Sequence, residues 1–243
     1  MSFRPAARQF FERRAAPPPS VPTARDYVQD GLIAMWDGIE NVGYGQHDDN
    51  AASWADLTGG GANWLLKDSN TTEVFEVGAD YVKILSIVSY KGRGHCTPSW
   101  SADGDIRQME IVLDNTDFSV TDTARICALG VSNGNNNSQM AVRDGNLFQF
   151  HFNKYPLLQM RAGLNAISFD GDTARGLFNG VLTDSAKTTV GSGYVYSPPV
   201  LGAYAAQAAI GIKIKALRIY GRVLTEAEMF ANYAIDKARF NLP

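Results

Sequence analysis

From Gly31 onward, apolar residues come in short runs or alternate with polar ones, and Gly, Asn and Asp interrupt them at short intervals. This pattern predicts strands of about four to eight residues joined by turns, not long helices. The runs lie at 32–36, 109–113, 125–131, 147–152, 165–169 and 209–220. The last is the clearest. Ile210, Ile212 and Ile214 alternate with Gly211, Lys213 and Lys215, and Leu217 and Ile219 then alternate with Arg218 and Tyr220. One buried face is expected, with a bulge where the phase slips at Ala216–Leu217. Arg143-Asp144-Gly145-Asn146 predicts a hairpin turn between 140–142 and 147–152, and Asn179-Gly180 a second between 176–178 and 181–183.

One helix is predicted, over 226–239. Thr225 and Glu228 form a capping box, and Met229, Phe230, Tyr233, Ala234 and Ile235 supply an apolar stripe. No internal repeat is visible, which excludes propellers and solenoids and leaves a two-sheet antiparallel sandwich. The first 25 residues differ from the rest. They hold a basic stretch followed by Pro17, Pro18, Pro19 and Pro22, a composition that favours extended chain over packed core. The expected division is an N-terminal arm and linker over 1–25 and a folded body over 26–243. The arm is either a plain terminus or a docking peptide, whose anchors would be Phe3, Arg4, Arg8, Phe10, Phe11, Arg13 and Arg14.

Composition narrows the function classes. Hydrophobic residues make up 45% of the 243, charged residues 19%, and the net charge is -3. The body therefore has no general attraction to nucleic acid. No stretch is apolar enough to span a membrane. The N-terminal stretch has charges every few positions and no apolar signal core, so export by the ordinary secretory route is not expected. Cys96 and Cys127 lack metal-ligand spacing; without an export signal, free thiols are favoured over a disulfide.

Several segments resemble the concanavalin A-like and laminin-G-like jelly-roll domains. The stretch from Gly211 through Tyr220, Arg222, Leu224 and Thr225 to Glu228 is similar to the end of that family's penultimate strand and the capped element after it. Gly31 to Trp36 resembles the family's first strand, Trp54 to Gly59 with Asn63 and Leu65 its loop-and-strand motif, and Phe169 to Gly180 its central hairpin. The resemblance covers about residues 26–240 and implies an all-β jelly-roll sandwich with a short C-terminal helix. The wording of 30–59 also resembles a variant found in gut-bacterial and phage virion or surface proteins. That resemblance implies a component of a phage particle, of head-decoration or fibre type, held by its arm to a capsid or other virion protein at the virion surface.

The same superfamily includes glycoside hydrolases, so carboxylate pairs matter. Related hydrolases carry a strand with Glu-x-Asp-x-x-Glu, whereas Asp103, Asp105 and Glu110 have the wrong spacing here. No GxSxG elbow precedes a helix, and the three histidines, His47, His95 and His151, form no triad pattern. A chain without catalytic activity is therefore expected. Calcium is implied by the family, with Asp170 and Asp172 as candidate ligands, although Asp-Gly-Asp is also ordinary turn chemistry. A sugar site would need an aromatic platform beside hydrogen-bonding groups. Tyr44, His47, Asp49, Trp64, Trp100 and Asn135 are eligible. The leading expectation is an attachment component that displays a lectin-like sandwich able to take glycans. A stand-alone carbohydrate-binding module of a bacterial surface or secreted protein is the alternative, and a glycoside hydrolase comes third. Self-association is left open, because antiparallel sheets pair at free edges.

Overall fold

The computed structural model describes residues 20–66, 75–85, 94–95, 107–114, 124–129, 138–143, 147–152, 155–160, 163–170, 173–185, 200–201 and 212–243. Its strands, in chain order, are β1 (Leu32–Asp37), β2 (Ser53–Trp54), β3 (Trp64–Leu65), β4 (Phe75–Gly78), β5 (Tyr81–Ile84), β6 (Gly94–His95), β7 (Gln108–Leu113) and β8 (Ala124–Leu129). There follow β9 (Ser138–Arg143), β10 (Leu147–Phe152), β11 (Tyr155–Met160), β12 (Gly163–Asp170), β13 (Thr173–Phe178), β14 (Val181–Ser185), β15 (Val200–Leu201) and β16 (Lys213–Tyr220). A helix, α1 (Glu226–Phe240), closes the chain.

The architecture is all-β, in antiparallel sheets. An eight-stranded sheet runs β14-β13-β12-β7-β16-β5-β4, with β1 also paired to β16; a six-stranded sheet runs β11-β10-β9-β8-β15-β6; β2 and β3 form a small pair. Both predicted hairpins form, β9 with β10 and β13 with β14. Asn179 and Gly180 have φ of 46° and 80°, the left-handed pair that a two-residue hairpin turn requires. The register shift in β16 falls between Ile214 and Ala216, one step before the predicted bulge.

Register fixes which side chains share a face. Arg218 stands opposite Glu110, Ala216 opposite Val112 and Tyr220 opposite Gln108, while Met35 and Asp37 pair with Arg218 and Ala216 from β1. These residues, with Leu164, Ala166 and Leu177, lie under α1, where Met229 and Phe240 close an apolar cluster with Tyr220 and Leu224. The opposite face holds Trp36, Met109, Ile111, Leu217 and Ile219, and it is buried too. The expectation of one buried face in 209–220 is thus corrected: every residue of β16 after Lys213 is buried, Lys215 and Arg218 included. A helix covers the face that looked polar, and its own polar residues pair with the charges there.

The helix has its predicted capping box, with Thr225 accepting from Glu228 N–H and Glu228 reaching back to Thr225. Its inward face is only partly the predicted stripe: Met229 is buried and Tyr233 and Ile235 pack half-buried against the core. Met229, Asn232, Asp236 and Phe240 are buried, whereas Phe230 is 39% exposed and Ala234 lies outside. The spacing is helical, but two of the four inward residues are polar because the sheet beneath presents Glu110 and Arg218.

Residues 22–28 also belong to the fold. Thr23 and Asp26 form a capping box around the 3-10 turn Ala24–Asp26. Ala24 and Tyr27 are buried against Met35 and Leu57. A cut that spares the core therefore falls before Pro22, inside the segment expected to be arm. No helix among the described residues is long and apolar enough to cross a membrane.

Candidate functional site

The chain leaves β1 into a loop, 38–50, that polar side chains hold in shape. Asp37 Oδ1 accepts from the Ile39 and Glu40 amides at 2.9 and 3.0 Å, which turns the chain at once. Glu40 then accepts from Ala24 N–H at 2.9 Å and Gly45 N–H at 2.8 Å. Asn41 holds the far side by bonding both ways with the backbone of Asp48, at 2.9 Å each. Gly45 takes a φ of 70°, a left-handed conformation that costs glycine little.

Three of the predicted glycan contacts lie on it. Tyr44 is partly exposed, with the Arg25 guanidinium 4.2 Å from its ring centroid on one face. Partial burial raises its hydroxyl above the ordinary tyrosine range, against the lowering effect of Arg25. His47 faces two acceptors, the Ile39 carbonyl at 3.1 Å and Asp49 Oδ1 at 2.9 Å. Asp49 itself is 72% exposed. An aromatic ring, an imidazole and a carboxylate therefore sit on one loop held by its own polar side chains.

The remaining predictions divide. Trp64 is fully buried, its ring centroid 5.2 Å from that of Trp36 with the planes at 55°. It fills the core and offers no face to a sugar, a correction that follows from tryptophan's double use as packing and platform. Trp100, Asn135, Asp172, Cys96 and the anchors Phe3, Arg4, Arg8, Phe10, Phe11, Arg13 and Arg14 lie outside the described residues. Asp170 ends β12 opposite Thr173, and Cys127 lies in β8; the side chains of both are outside the description. Among the described residues, no three His, Cys, Asp or Glu side chains gather as a metal site would need.

A second constellation went unread in the sequence. Arg218 donates to Glu110 Oε2 at 2.8 Å and, through both terminal nitrogens, to Asp236 at 2.8 and 2.5 Å. The Tyr27 ring lies 4.1 Å from the guanidinium, and its hydroxyl donates to Asp236 at 2.6 Å. Asn232 bridges by donating to Glu110 and to the Tyr220 hydroxyl at 2.9 Å each. Beside it Arg239 binds Asp37 at 2.8 Å and Glu40 at 2.9 Å. Burial pushes the Glu110 and Asp37 carboxyls above their usual range, against the pull of Arg218 and Arg239.

Tyrosine, carboxylate and arginine together invite a catalytic reading, since some glycosidases use a tyrosine nucleophile. Burial argues otherwise. Glu110, Arg218 and Asp236 are fully buried and Tyr27 is 2% exposed, so no substrate reaches them in this conformation. The cluster fastens elements together, whereas loop 38–50 meets solvent. The available sequence signal was the pairing of a lone Glu110 in an apolar strand with Arg218 in another.

No protein-family model matches the chain, and no curated protein does. Solved structures do match in fold. Trypanosoma rangeli sialidase in complex with sialic acid superposes with a TM-score of 0.57 at 13% identity, over 88% of this chain and 33% of that one. The same sialidase bound to 2,3-difluoro-KDN gives 0.59 at 13%, over 90% and 35%. The receptor binding domain of botulinum neurotoxin D gives 0.57 at 14%, over 84% and 52%. The chain thus spans about a third of the sialidase chains and half of the toxin domain. At such identities the likeness concerns fold alone, an all-β, lectin-like sandwich. It nonetheless corrects the expectation of a chain without catalytic activity. That expectation rested on the missing carboxylate strand of one hydrolase group, and the sialidases are enzymes whose chains contain this fold.

Proposed function

We propose that this sandwich binds glycans and that loop 38–50 is its contact surface. The observation that carries the reading is the hydrogen-bonded loop that holds Tyr44, His47 and Asp49, anchored through Asp37, Glu40 and Asn41 to buried parts of the fold. An aromatic ring on the same loop as a hydrogen-bonded imidazole and carboxylate suits a sugar, whose apolar face stacks while its hydroxyls bond. The likeness in fold to a sialidase described with sialic acid supports the same ligand class.

The test is a glycan array probed with the full chain, with and without calcium. Retention of a glycan subset is expected, with loss of at least about tenfold in affinity for Tyr44→Ala or Asp49→Ala, the equivalent of one lost contact. Retention that both variants leave intact would remove the loop from the reading, and no retention at all would remove the glycan.

The finer proposal is that the domain is an attachment component of a phage particle, tethered at the virion surface by its N-terminal arm to a capsid or other virion protein. Its support is the resemblance of residues 30–59 to virion and surface proteins, together with the Arg, Phe and Pro of the arm. The check is mass spectrometry of purified particles. Fixed stoichiometry that is lost when residues 1–19 are deleted, a cut that leaves Pro22 in place, is the expected result. Absence from the particle would overturn it.

A further inference from the structure

The first described turn and the last helix touch each other through the buried charges instead of packing independently. Pro22 gives its carbonyl to Arg239 at 3.0 Å, Ala24 gives its amide to Glu40, and Val28 gives its amide to Asn232 at 2.9 Å. Tyr220 donates to the Val28 carbonyl at 3.1 Å. Tyr27 lies across the middle, stacked on Arg218 and bonded to Asp236. Every inward polar residue of α1 has a partner in 22–28 or in the charges those residues cover. With the strap lifted, Asp236 and Asn232 each lose a partner, and Arg218 loses its aromatic cover. A buried ionic group that loses a partner costs more than an apolar contact that loosens.

We propose that residues 22–28 are a latch on α1, so that strap and helix open and close as one unit, separately from the sheet below. Opening uncovers the apolar face of Val112, Leu164, Ala166 and Leu177 that Met229 and Phe240 now close. A pull on the chain before Pro22 enters the fold at Arg239, on the last turn of the helix. The N-terminal segment is therefore mechanically coupled to the C-terminal helix, whatever the segment itself binds.

Native-state hydrogen exchange on the full chain tests the coupling, because it resolves units that open below the global free energy. In Tyr27→Ala, amides inside α1 are expected to lose about tenfold to a hundredfold in protection, the range for a buried group deprived of a hydrogen bond. Amides of β12 and β13 should keep theirs. Tyr27→Phe, which removes only the hydroxyl, should give a smaller loss with the same distribution, so the proposal survives if the alanine variant fails to fold. Coupling is reciprocal. Asp236→Asn should therefore raise exchange at Ala24, whose amide bonds to Glu40 and not to Asp236. Equal loss in α1 and β12–β13, or an Ala24 amide indifferent to Asp236→Asn, would overturn the latch.

Discussion

Arg218 and Arg222 sit four residues apart, each binding an acidic residue of the same helix, yet they live in different media. Arg218 and its partners Glu110 and Asp236 are fully buried. Arg222 holds Glu228 with two bonds, of 3.0 and 2.6 Å, where each side chain is 29% exposed. Outside, water screens the pair and little is gained or lost. Inside, desolvation takes back much of the attraction, and the pair matters mainly because neither partner tolerates the other's absence. The buried set is also imperfectly satisfied: Asp37 Oδ2 and Arg239 Nε have no hydrogen-bond partner among the described residues. Such a network fixes where the helix and strap lie more than it raises stability.

The largest effect should come from breaking the inner pair. Asp236→Ala leaves the Arg218 guanidinium with Glu110 as its one acidic partner and two bonds unmade, and is expected to cost about 3–5 kcal/mol in urea unfolding. Replacing Glu110, Arg218 and Asp236 together with apolar residues of similar volume should cost far less, or nothing. A triple variant as unstable as the single one would show that the charges supply stability themselves. Next comes the helix start, where Thr225→Ala removes the capping oxygen and should cost about 1 kcal/mol. Smallest is the outer pair: Arg222→Ala should change stability by at most about 1 kcal/mol, and added salt should shrink the difference.

The two pairs also predict opposite slopes with pH. Hydrogen bonds from Arg222 and from the Thr225 amide lower the Glu228 carboxyl to about 2. Its contribution is present above the ordinary carboxylate range and is lost as pH falls toward that value. Burial raises the Glu110 carboxyl, so its contribution slopes the other way and is lost as pH rises through the folded value. Unfolding measured across acid pH should show a flatter acid limb in Glu228→Gln while the opposing slope persists. An unchanged acid limb would remove Glu228 from that account.

What the sequence could say depended on whether a residue's environment is set by its neighbours along the chain. The Asn179-Gly180 turn and the Thr225–Glu228 cap are local devices, and both were legible to within a residue. Asn232 and Asp236 fell outside the apolar stripe read in the sequence, because their partners lie on strands and on a strap far away in sequence. Tyr27 stands just past a proline-rich stretch and carried no sign of its place between two arginines. At the loop, Tyr44, His47 and Asp49 could be gathered by proximity in sequence. Trp64 could not be sorted from them, since only the fold tells a packed indole from an offered one.

The bond from Arg239 to the Pro22 carbonyl has a topological side. It brings the start and the finish of the folded body to one spot, so the body is almost a ring with a single break. Nothing in the contacts of the sheet requires the break to be there. A circular permutant that joins the end of α1 to Pro22 through a short linker, and opens the ring at the half-buried Asn179-Gly180 turn, would keep both sides of that bond.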